Sequence, residues 1–120
     1  MGKRSIVLAE AVGEGLAVHW DGEKPGSAGL GVAGISFVSG AIGDTITLTT
    51  GGEASVYAIA NNAMDAGAFL VAQTDGTLSG SNEGADLTDG IAVLGRAEHD
   101  VAAGGDPVRF TYDTVIVTVP

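Results

Sequence analysis

Short apolar runs alternate with polar positions along this chain, and glycine, often beside aspartate, separates one run from the next. From Thr45 to Thr50, a predicted strand, the apolar side chains Ile46 and Leu48 alternate with Thr45, Thr47 and Thr49. Successive strand residues point to opposite faces, so this period predicts a half-buried strand. Gly43-Asp44 stands immediately before it. Glycine reaches the positive φ of a tight turn, and aspartate can hydrogen-bond the backbone just beyond itself. About sixty residues later Gly105-Asp106 leads into Pro107-Val108-Arg109-Phe110, a spacing that predicts a duplicated supersecondary unit.

The same reading extends along the chain. Strands are predicted over 5–10, 16–20, 30–38, 54–60, 68–72, 91–95, 108–112 and 114–119, from their β-branched and apolar content. Asp21-Gly22 is a tight-turn signal that Asp75-Gly76 answers, and Ala11 to Gly15 is paralleled by Ala63 to Gly67. Residues 61–66 predict a short turn or a single helical turn, and 77–89 a long polar loop. No segment keeps a 3.6-residue period over the length of a helix. The predicted class is mainly β, a small β-barrel or β-sandwich. One domain over 1–120 is expected, with similar halves, 5–56 and 57–119, closing on a shared core.

Composition changes this picture in one respect. Hydrophobic residues make up 45% of the chain but aromatic ones only 5%, and there are 20 glycines. The core must then be built mostly from Ala, Val, Ile and Leu, which bury little area each, against a large glycine entropy. Such a chain gains from being held by copies of itself or by a larger surface, so an oligomer or a piece of an assembly is expected. The formal net charge of −10 repels phosphate backbones and argues against nucleic-acid binding. Two of the five basic residues, Lys3 and Arg4, sit together, and 1–5 are expected as a docking arm for an acidic partner. The chain has no cysteine, so no disulfide or thiolate metal site. Neither a secretory signal nor an apolar run long enough to span a bilayer is visible, so a soluble protein with no membrane partner is expected.

Candidate chemistry is sparse. Gly29-Leu30-Gly31-Val32-Ala33-Gly34 matches G-x-G-x-x-G formally, but that fingerprint needs a helix after it, and Ile35-Ser36-Phe37-Val38 reads as strand. Glu98-His99-Asp100 places an imidazole between carboxylates, yet sequence neighbours on a strand face apart, and a solvated loop histidine is the plainer reading. Asn82, Glu83, Asp86 and Asp89 offer oxygen ligands without the alternation of a calcium loop. No catalytic residue, metal ligand or cofactor is therefore expected, and the protein is read as not an enzyme. Trp20 is either the anchor of an interface or an indole that fills the core. Arg96 and Arg109, on predicted strands, either pair with carboxylates between subunits or sit on a solvated face.

Ala63 to Asp75-Gly76 reads Ala-x-x-x-Gly, an apolar run, then Asp-Gly, and Gly31-Val32-Ala33, Ala41 to Leu48 and Ala102 to Phe110 supply a Gly-Val-Ala segment and two that run through Gly-Asp into alternating apolar residues. As a set these segments resemble those of the capsid decoration, or cement, proteins of tailed bacteriophages, over nearly the whole chain. The resemblance implies a compact β-barrel-like fold, a homotrimer on the outer capsid surface of the virion and a major capsid protein as partner. It also implies assembly after synthesis in the host cytoplasm, and no catalysis. Lys3, Arg4, Trp20, Arg96 and Arg109 are then the candidate capsid or subunit contacts. The alternative is a β-sandwich recognition module for carbohydrate or a cell surface, which requires exposed aromatic rings.

Overall fold

A computed structural model describes residues 3–26, 29, 32–36, 38–50, 56–81, 92–113 and 115–116. Regular structure among them is entirely strand, as the mainly β class requires. The first half holds β1 (Lys3–Val7), β2 (Ala17–Val18), β3 (Gly34–Ser36) and β4 (Thr45–Thr49). The second holds β5 (Val56–Ile59), β6 (Phe69–Ala72), β7 (Leu78–Ser81), β8 (Ala92–Val93), β9 (Gly95–Arg96), β10 (Pro107–Phe110) and β11 (Val115–Ile116).

The first four strands form one antiparallel sheet in the order β1-β4-β3-β2. In the second half β5 and β10 form a two-stranded sheet, β7, β6 and β9 a three-stranded one in that order, and an isolated bridge joins Phe110 of β10 to Ala97 just beyond β9. Two pairs of turns correspond. Leu8 N–H donates to Asp44 O and Gly43 N–H to Leu8 O, each at 2.8 Å. Ala60 N–H donates to Asp106 O at 2.9 Å and Gly105 N–H to Ala60 O at 2.8 Å. Gly43 and Gly105 adopt φ of 88° and 93°, the left-handed conformation their turns demand. The Asp-Gly turns share a second pattern. Asp21 Oδ1 accepts from Glu23 N–H at 2.9 Å, and Asp75 Oδ1 from Thr77 N–H at 3.0 Å.

A closed barrel is not formed among the described residues. In the second half the path of pairing returns from β7 to β5 only through an isolated Ala60–Leu78 bridge. Hydrogen bonds also cross between the halves, from Ile59 N–H to Gly15 O (2.9 Å) and from Ala17 N–H to Gly76 O (2.7 Å).

The interior divides into two clusters, the larger drawn from both halves. Leu8, Val12, Val18, Ala33, Ile46 and Leu48 form a small cluster, while Ala17 and Ile35 join a larger one that contains Leu70, Leu94, Phe110 and Tyr112. The register explains the split. Ala17, Ile35 and Thr49 stand opposite one another on one face of the sheet, and Leu48 and Ser36 on the other. Both faces are covered here, so Thr49 is only 7% exposed although alternation placed it on the polar face with Thr45 and Thr47. Ser36 is buried too, and its hydroxyl is satisfied by donating to Gly13 O and accepting from Leu16 N–H.

Lys3, Arg4 and Ser5 do not project as an arm. They stand opposite Thr49, Leu48 and Thr47 in the β1–β4 ladder, because pairing satisfies backbone groups that an extended arm would leave to water. β1 is nevertheless an edge strand of its sheet.

The Asp75 turn carries a pH-dependent increment. The Thr77 hydroxyl at 2.5 Å, and then the Thr77 N–H, hold the Asp75 carboxyl below its ordinary value. A depressed folded-state value stabilises above the ordinary carboxylate range, and that stabilisation is lost as pH falls through the folded value. Asp75→Asn keeps an acceptor but cannot ionise. Between about pH 6 and about pH 3 the wild type is expected to lose slightly more stability than this variant, read by urea denaturation at each pH.

Candidate interaction surface

The chain has three arginines, and each lies over an aromatic ring. Two of these pairs come directly from strand register. Arg96 on β9 stands opposite Phe69 on β6, with its guanidinium carbon 4.6 Å from the ring centroid. Arg109 on β10 stands opposite Tyr57 on β5, at 5.7 Å. Facing cross-strand side chains are close enough to interact, and a cation over a ring face is attracted by its quadrupole.

The third pair is tertiary. Arg4 lies in β1 and Trp20 follows β2, at opposite edges of the same sheet. The sheet curls so that the Asp21-Gly22 turn meets the end of β1, where Ala9 N–H donates to Gly22 O at 3.0 Å. This brings Trp20 under the Arg4 guanidinium at 4.4 Å. Trp20 is 56% exposed, so its indole does not fill the core. Lys3, the neighbour of Arg4, points to the opposite side of β1, opposite Thr49.

The three guanidinium groups differ in their polar partners. Arg109 Nε lies 3.4 Å from Glu98 Oε1, an ion pair rather than an aligned hydrogen bond, while Nη1 donates to the Tyr57 hydroxyl at 3.3 Å. Arg96 Nε donates to Gly67 O at 2.8 Å. Arg4 has no hydrogen-bonded or ionic partner among the described residues.

Glu98, His99 and Asp100 do not act on one another through their side chains. Glu98 faces Arg109, and Asp100 Oδ1 accepts from Ala66 N–H at 2.8 Å. The His99 ring substitutes for a backbone acceptor, since Arg109 N–H donates to Nε2 at 3.1 Å and Nδ1 meets Asp100 O at 2.9 Å. That geometry requires the neutral ring with hydrogen on Nδ1. Imidazole nitrogen shifts are expected to report that tautomer.

Of the remaining sequence candidates, Asn82, Glu83, Asp86 and Asp89 lie outside the described residues. The glycine fingerprint is followed by strand β3, not by the helix that phosphate binding needs. Tyr57, Phe69 and Glu98 were missed as partners of the arginines. Their only sequence signal is the register set by the Gly105-Asp106 turn and by Gly67, which becomes readable once the pairing is known.

Neither a family model nor a curated protein matches the sequence. Among solved structures the chain is similar to the N base of the head fiber gp8.5 of bacteriophage phi29, with a TM-score of 0.70 over 92% of each chain at 16% identity. At that identity the likeness is one of fold.

Proposed function

We propose that this chain is a structural, non-enzymatic virion protein that binds the outer surface of a tailed-phage head and reinforces the shell. The observation that carries the reading is the fold it shares, over 92% of both chains, with the base of a phage head fiber. The acidic composition and the ordered Gly-Asp landmarks that resemble decoration proteins favour the same role. A homotrimer engaging the major capsid protein would clamp neighbouring subunits by multivalent contact, and binding to the assembled state alone stabilises it by mass action. The carbohydrate-binding alternative requires several free aromatic faces, whereas Trp20, Phe69 and Tyr57 each have one face covered by a guanidinium.

Purified protein is expected to elute as a trimer and to cosediment saturably with heads of the phage that encodes it. Heads carrying it are expected to release DNA at a higher temperature than bare heads. No cosedimentation at micromolar protein would refute the proposal.

A further inference from the structure

The three guanidinium–ring pairs divide by what else holds them. Arg109 already has a carboxylate in Glu98, and Arg96 has committed its Nε to Gly67 O above a half-buried ring. Arg4 is different. The chain carries fifteen acidic residues, yet none of those described pairs with it. Asp21, next to Trp20 in sequence, is turned to Glu23 N–H and to His19 Nδ1 at 3.5 Å. With no carboxylate beside it among the described residues, this guanidinium is a group available for binding.

We propose that the Arg4–Trp20 pair is a docking surface for a carboxylate side chain of the capsid protein. The inference rests on the function proposed above and names the contact that function would use. Trp20 holds the guanidinium over its ring, and the N–H donors at its rim remain open to an incoming Asp or Glu in bidentate geometry. Both parts are positioned before binding: Arg4 by the β1–β4 ladder, and Trp20 by the turn tied to Ala9. Little side-chain freedom is left to lose when the partner arrives. The exposed indole adds apolar contact beside the charge, the combination found at energetic centres of interfaces. Because the body as a whole is negative, attraction to an acidic partner must be local to this pair, not a property of the overall field.

The test is cosedimentation with heads for the wild type, Arg4→Gln, Arg4→Lys, Trp20→Ala and Lys24→Gln. Lys24 lies 3.6 Å from Glu10, so Lys24→Gln changes net charge by the same amount at a cation that already has a carboxylate. Arg4→Gln and Trp20→Ala are expected to weaken head binding roughly tenfold or more, and Arg4→Lys by less, since it keeps charge but loses the bidentate fork. Lys24→Gln is expected to bind within about twofold of wild type. Arg4→Lys, which preserves charge and stem, keeps the comparison meaningful if another variant folds poorly. Wild-type binding with Arg4→Gln unimpaired overturns this inference alone. Failure of the wild type to bind overturns it together with the proposed function. An Arg4→Gln protein that falls from trimer to monomer also overturns it, because the pair would then join copies of this chain.

Discussion

Gly95→Ala is expected to be the most damaging single-methyl substitution among those considered, costing about 3 kcal/mol or more. A Cβ at Gly95 would overlap the Thr111 carbonyl oxygen and lie 2.8 Å from Cδ2 of Phe110. The first is backbone and the second belongs to a fully buried ring, so neither can yield without moving a strand. Gly34 meets the same obstacle in the first half, where a Cβ would lie 2.6 Å from Thr49 O and 2.8 Å from Leu48 Cβ. At both places the missing side chain lets one strand approach the next closely. Gly43→Ala provides the contrast. Nothing lies within 4 Å of a Cβ there, and only its φ of 88° opposes alanine, at a cost of about 1 kcal/mol. Equilibrium urea denaturation is expected to rank Gly95→Ala and Gly34→Ala well below Gly43→Ala. Equal losses at all three would mean that close approach is not what selects glycine at 34 and 95.

Phe110→Ala is expected to cost about 3–5 kcal/mol, a large share of the roughly 5–15 kcal/mol that holds a typical domain. Phe110 is fully buried in the larger cluster, with its ring centroid 5.6 Å from that of Tyr112. In a core built mainly from small aliphatic side chains, few neighbours are long enough to collapse into the space it would leave. Leu48 occupies the matching place in the first half, since Ser36 stands opposite Leu48 as Ala97 bridges to Phe110. Leu48→Ala is expected near the lower end of about 2–5 kcal/mol, because the smaller cluster is edged by the partly buried Ile6 and Leu16, which can relax inward. The midpoint of urea unfolding measures both. A loss at Leu48 equal to that at Phe110 would show that the smaller cluster carries as much of the fold as the larger.

What could be read from the chain was local. The Gly43-Asp44 and Gly105-Asp106 turns, the Asp21-Gly22 and Asp75-Gly76 turns, and the in-out alternation of Ile46 and Leu48 each depend on a few consecutive residues. Backbone sterics and side-chain period act over that same distance, so these features were legible with no partner strand in view. The burial of Thr49 was not legible, because alternation says only that a strand has two faces and not that both are covered. Nor was the division into two clusters, which follows from β2, β3 and β4 lying between them. The arginine–aromatic pairs lie further still from sequence reasoning. Arg109 and Tyr57 are 52 positions apart, and Arg4 meets Trp20 only because the sheet curls. The sequence by itself determined turn positions, strand character and a strongly negative charge. Tertiary structure alone decided which faces meet water and which ring each arginine lies over, because both depend on register and curvature that bring distant residues into contact.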